Sequence, residues 1–266
     1  MTGSKIFREG ILRDQAALVT GGGTGIGKAI AMELARCGAD VAIASRKLER
    51  LEPVAEEIRR ETGRRCFFAA CDIRDPEQVE ALAARVEAEY GHIDVLVNNA
   101  GGQFPAPAET FTVKGWNSVI NNNLSGPWFM TQSVVKRMIP RQSGRVIFIT
   151  ADYREGMPGI AHSSAARAAI RNLVRTLGLE WARFGILVNS VAPGTIRTEG
   201  FERVYDEATR ARIVAEQPLK RLGTPEDIAW AVVYLASPAG NFITGEELLI
   251  KGGHVGPTWT IPEPKD

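Results

Sequence analysis

The chain has 266 residues, 44% hydrophobic and 24% charged, with a net charge of +1, which suits one large α/β domain. That balance gives no electrostatic reason to expect nucleic acid or an acidic membrane surface as partner. No apolar run approaches the roughly eighteen residues of a membrane span. A small-molecule partner is therefore expected.

In chain order, the opening MTGSKIFREGILRDQ has no apolar h-region, so a secretory signal is not expected and a cytoplasmic protein is. Short apolar runs then alternate with longer amphipathic stretches, the rhythm of βα units closing a parallel sheet. Strands are expected at 16–20, 41–44, 66–70, 95–97, 146–150, 187–191 and 248–250. Helices are expected at 26–37, 47–61, 76–90, 113–138, 163–184 and 225–236. Asp75-Pro76 and Thr224-Pro225 each set a capping side chain before a proline, whose missing N–H costs nothing in a first helical turn. Residues 195–217 follow Pro193-Gly194, leave the βα rhythm and read as a lid over a substrate site. The predicted architecture is one Rossmann-like, doubly wound α/β domain with helices on both faces of the sheet. Its core spans 12–253, and a tail runs over 254–266, ending in Pro264-Lys265-Asp266 without a peroxisomal address. Cys37, Cys66 and Cys71 follow no metal-ligand spacing; they read as reduced thiols, and no metal is expected.

The first strand runs straight into Gly21-Gly22-Gly23-Thr24-Gly25-Ile26-Gly27 and then a helix. A glycine loop in that setting lets the backbone turn tightly and brings free N–H groups against a pyrophosphate. At the end of the second strand an Asp or Glu would take the ribose hydroxyls of NAD. The sequence there is Ala44-Ser45-Arg46-Lys47, and Arg46 and Lys47 offer charge-assisted contacts to a 2′-phosphate, which favours NADP(H).

These residues, with Asn98-Asn99-Ala100-Gly101 and Pro193-Gly194, resemble the short-chain dehydrogenase/reductase family over nearly the whole chain. The resemblance implies that Asp72 and Ile73 flank the adenine and that Asn99, Ala100 and Gly101 line the cofactor's path. It also implies that Pro193, Gly194 and Ile196 meet the nicotinamide carboxamide, and that Asn123 is the helical active-site asparagine. Members usually carry a Ser at the end of the fifth strand, then a Tyr and, four residues on, a Lys. Here the strand ends Ile149-Thr150-Ala151, Ser163 stands at the Tyr position and Arg167 at the Lys position. Serine is a poor substitute for a phenol as general acid, so ordinary alcohol oxidation is disfavoured.

Gly101-Gly102-Gln103-Phe104 and His162-Ser163-Ser164-Ala165-Ala166-Arg167-Ala168 are similar to the peroxisomal trans-2-enoyl-CoA reductase branch. Tyr153 falls where the related 2,4-dienoyl-CoA reductases carry a catalytic tyrosine. The implied activity is reduction of an activated C=C bond in an acyl-CoA, with enolate charge stabilised on the thioester oxygen. Arg167 would hold the nicotinamide ribose, Tyr153 would donate to the thioester oxygen, Asn123 would orient the carbonyl or a water, and Ser163 would bond substrate or cap its helix. His162 and Asp152 are alternative proton donors. Trp116 and Trp128 read as core or subunit contacts, and Lys220 and Arg221 as solvated surface or CoA-phosphate contacts. A homotetramer packed through helices 113–138 and 163–184 is implied by the resemblance. The competing functions are a carbonyl or alcohol oxidoreductase on a hydrophobic substrate, and a silent NADP(H)-binding protein.

Overall fold

A computed structural model describes residues 3–154 and 156–253, so the expected tail at 254–266 lies outside the described residues. Seven parallel strands form one sheet: β1 Ala16–Thr20, β2 Asp40–Ser45, β3 Cys66–Ala70, β4 Val95–Asn98, β5 Gly144–Ile149, β6 Ile186–Pro193 and β7 Glu247–Ile250, in the order β3-β2-β1-β4-β5-β6-β7. From β1 the chain winds outward to β3, then crosses back to lay β4 on the other side of β1. That reversal opens a crevice at the carboxyl ends of β1 and β4, where residues 21–27 and 98–101 lie.

Both sheet faces are buried, which is why the strands read as continuous apolar runs. Ala17, Val19 and Ile43 on one face join Ile30 and Leu34 of α1 Gly25–Arg36, Val54 and Ile58 of α2 Leu48–Thr62, and Ile228 and Val232 of the C-terminal helix Pro225–Ala236. On the other face Leu18 and Leu96 meet Leu82 and Val86 of α3 Pro76–Tyr90, Met130 and Val134 of the helix Gly126–Met138, and Ile170 and Val174 of the helix Ala161–Trp181. The three cysteines are buried free thiols, with burial pushing Cys37 and Cys66 up to about 12 and Cys71 up to about 11. Among the described residues no helix is long and apolar enough to cross a membrane.

The expected helix 113–138 is divided. It forms α4 Val113–Ile120, a π turn Asn121–Ser125 and α5 Gly126–Met138, in which the Gly126 N–H donates to the Asn121 carbonyl five residues back. Pro127 is the cause: it has no N–H for the carbonyl four residues earlier, that of Asn123, and its ring crowds that carbonyl. The next helix, α6 Ala161–Trp181, starts two residues before its predicted position. The expected lid holds two short helices, α7 Glu199–Val204 and α8 Glu207–Glu216, before α9 Pro225–Ala236. Thr198 and Asp206 start them by accepting from the N–H groups of Phe201 (3.2 Å) and Thr209 (2.8 Å). A bridge from Ile196 to Gly223 closes the base of the lid.

Candidate active site

β1 delivers the chain to Gly21, whose φ of +69° a side chain would strain. A Cβ on Gly27 would lie 2.2 Å from the Gly21 carbonyl oxygen and 2.4 Å from Asn99 Nδ2, so strand and helix approach this closely only through glycine. Asn99 braces the turn, Nδ2 donating to the Thr20 carbonyl at 2.9 Å and the Gly21 carbonyl at 3.3 Å. Thr24 precedes α1 in extended conformation without capping it, and the first turn carries no carboxylate. The first N–H groups of α1 are thus left for an anionic ligand.

A cleft of about 650 Å³ opens here and takes in Gly21, Thr24, Gly25, Ile26 and Gly27, with Asn99, Ala100 and Gly101 opposite. At its far end stand Ser45, Arg46, Asp72 and Ile73, together with Arg50, which the sequence reading did not single out. Arg50 lies in the first turn of α2, whereas Arg46 precedes that helix, so no helical spacing links the two in the sequence and the fold alone brings both to this end of the cleft. Lys47 turns away: its Nζ lies 3.9 Å from the Glu49 carboxylate on an exposed helix start, so the second guanidinium replaces the expected ammonium. The Ser45 hydroxyl stays local, donating to the Lys47 carbonyl at 3.2 Å. Arg74 grips the Asp72 carboxylate at 2.8 and 2.5 Å and holds it below the usual carboxylate range. Glycine cradle, uncapped helix start and cationic far end together fit a nicotinamide dinucleotide.

Past Ile26, Asn99 and Gly101 the space continues into a second cleft of about 590 Å³. Thr150, Asp152, Arg167, Pro193, Gly194 and Ile196 line it. Arg167 donates through Nη1 to the Ile149 carbonyl at 2.7 Å, while its Nε has no partner. Burial pulls this guanidinium down to about 10, so it still carries its charge at neutral pH. Thr150 donates to the Val191 carbonyl at 3.2 Å. Asp152 pairs with Lys251, Oδ2 to Nζ 2.8 Å, and leaves Oδ1 buried and unpartnered.

Three expected catalytic residues are placed differently from their anticipated roles. Tyr153 points its hydroxyl at Glu247, 3.3 Å from Oε2. Burial and the Glu247 charge push the phenol upward, which makes it a weaker proton donor. Nothing near Tyr153 in sequence announces Glu247. Asn123 is buried with its amide occupied: Nδ2 donates to the Gly102 carbonyl (2.7 Å) and the Val119 carbonyl (3.0 Å), and Oδ1 accepts from Gly102 N–H (3.2 Å). It braces the loop after β4 instead of reaching substrate. Ser163 is fully buried and donates through Oγ to Gln103 Oε1 at 2.8 Å, and Gln103 lines the second cleft.

His162 is fully buried beneath the rings of Phe104 and Phe111, with centroids 4.8 and 4.3 Å away, and Nδ1 accepts from Ser163 N–H at 2.8 Å. Burial draws its pKa down, so it rests neutral outside the cleft lining. Trp128 packs on the core and Trp116 is exposed. Lys220 donates to the Ala215 carbonyl and Arg221 pairs with Asp227, each at 2.7 Å, so both cations already have partners.

A family model described as enoyl-(acyl carrier protein) reductase matches residues 21–254. A probable 2,4-dienoyl-CoA reductase 3 of Caenorhabditis elegans is 39% identical over 259 residues, covering 94% of this chain and 83% of that protein. Gluconate 5-dehydrogenase of Gluconobacter oxydans is 37% identical over 239 residues, covering 89% and 93%. Among solved structures, a citronellol catabolism dehydrogenase of Pseudomonas aeruginosa superposes with a TM-score of 0.83 at 40% identity, covering 93% of this chain and 98% of that one. Likeness of this depth, along a chain that sets a glycine cradle at the reversal point of a seven-stranded parallel sheet, makes this protein a member of the short-chain dehydrogenase/reductase family of oxidoreductases.

Proposed function

We propose that the protein uses NADPH to reduce the activated C=C bond of an enoyl-CoA-type thioester. The observation that carries the reading is the Ser163–Gln103 hydrogen bond beside Arg167. Because the Ser163 hydroxyl donates to Gln103 Oε1, the amide is oriented with Nε2, a pure donor, left over at the cleft. An alcohol–ketone reaction needs a group that gives and takes a proton, and neither Gln103 nor Arg167 can. Reduction of a conjugated C=C bond needs fixed donors for enolate charge on the thioester oxygen, which this arrangement supplies. Held against Gly21, Gly25 and Gly27, NADPH would supply hydride chemistry for the β-carbon, and solvent would supply the proton for the α-carbon. Pro105, Met157, Phe201, Val204 and Ile213 give the cleft an apolar wall suited to an acyl chain. Arg46 and Arg50, with no carboxylate at the end of β2, favour a 2′-phosphate and hence NADPH over NADH.

The names of the gluconate and citronellol relatives favour a second reading, a carbonyl or alcohol oxidoreductase. NADPH oxidation with trans-2-enoyl-CoA substrates of several lengths, alongside NADH, a dienoyl-CoA and a ketone panel, separates the two. Turnover of the thioesters alone supports C=C reduction; turnover of ketones alone refutes it. We further propose a cytoplasmic homotetramer, for which exposed Val113 on α4 and Leu179 on α6 offer apolar contacts; light scattering checks the assembly.

A further inference from the structure

We infer that Arg203, carried on the lid helix α7, is a ligand for the pyrophosphate of the dinucleotide and ties cofactor binding to the wall of the substrate cleft. The inference rests on the dinucleotide reading of the glycine cradle and not on the identity of the substrate. Glu199 and Arg203 line the dinucleotide cleft and Phe201, Val204 and Tyr205 line the substrate cleft, with Gly200 bordering both. Positions three and four apart share a helix face, so this short helix turns one face to each space. Thr198, just before it, comes within 3.5 Å of a Cβ built on Gly25, which puts the start of the lid against the glycine loop and the first turn of α1.

Charge points the same way. Arg46 and Arg50 enter this cleft at the adenosine end, and Arg203 enters it from the lid. The neighbouring carboxylates are partly accounted for: Arg74 holds Asp72 and Arg197 holds Glu202 at 2.8 Å, while Glu199 is the acid that faces the cleft with them. A guanidinium lining the same cleft as the glycine cradle suits the bridging phosphates, whose two charges fixed backbone N–H groups balance only in part. Arg203 held on them would fix the position of Phe201 and Val204 in the substrate-cleft wall, since all three ride on six residues of one helix.

The test is a fluorescence titration of wild type, Arg203→Ala, Arg203→Lys and Arg50→Ala with NADPH and with NADH. Loss of a charge-assisted contact at an exposed site predicts about tenfold weaker binding of both dinucleotides by Arg203→Ala. Arg203→Lys should recover part of it, and Arg50→Ala should weaken NADPH alone. Arg203→Ala binding both dinucleotides within about twofold of wild type overturns the inference, as does a loss confined to NADPH, which would move Arg203 to the 2′-phosphate. Arg203 is exposed, so a thermal melt matching wild type shows that the variant is folded. Wild type that binds neither dinucleotide refutes the cofactor reading itself.

Discussion

Gln103→Glu keeps the shape of the side chain and the acceptor that Ser163 Oγ meets at 2.8 Å, but exchanges the Nε2 donor for a second acceptor. Removing one preorganised donor to a developing oxyanion costs about 10²–10³ in kcat. That loss is the expectation for enoyl-CoA turnover, with NADPH affinity little changed because Gln103 does not line the cleft of the glycine loop, Arg46 and Arg50. Ser163 does not itself line the cleft and reaches it only through Gln103, so Ser163→Ala only lets the amide rotate. One neutral hydrogen bond of ~1 kcal/mol gives about a fivefold loss. Since serine acts through glutamine, adding Ser163→Ala to Gln103→Glu should cost nothing more, a non-additive cycle. The assay is steady-state kcat and KM for the four proteins, with NADPH titrated separately. Unchanged kcat in Gln103→Glu, or a full further fivefold loss in the double variant, would refute the orientation argument.

Gly27→Ala drives a Cβ to 2.2 Å from backbone oxygen that cannot swing aside. Dinucleotide affinity should fall more than about tenfold and stability by ~1–3 kcal/mol, read by titration and thermal melt; an undisturbed titration would separate this loop from the dinucleotide. Tyr153→Phe should leave kcat within about threefold, because the hydroxyl serves Glu247, which Thr150 also meets at 3.3 Å. A hundredfold drop would return Tyr153 to the role of proton donor. His162 is held neutral, with Phe104, Phe111 and the Ser163 N–H around its ring, so its folded pKa lies below the ordinary value. The unfolded chain then binds this proton first, and the residue costs stability as pH falls through about 6.5 and below. His162→Phe should therefore melt less steeply with acid than wild type over pH 7 to about 5; parallel curves would show that the imidazole does not contribute.

Much of the scaffold was legible because its code is local. The runs 16–20 and 66–70 and the proline-led helices 76–90 and 225–236 appear with the expected bounds, since apolar patterning and capping act within a few residues. Glycine spacing after β1 likewise marked the cradle before any fold was in view. The division of 113–138 carried one local sign, Pro127, but a single proline did not reveal that the helix would continue through a π turn.

What the tertiary structure alone decided was the direction of side chains. Tyr153 meets Glu247, 94 residues away, Asn123 is taken up by Gly102, and Ser163 finds Gln103, 60 residues earlier. Arg203 reached the dinucleotide cleft only because the lid folds back over α1. Sequence patterning determines which backbone forms because strand and helix are set by neighbours in the chain. Each polar side chain instead turns to the partner that leaves fewest buried groups unsatisfied, and here those partners are neighbours only in space.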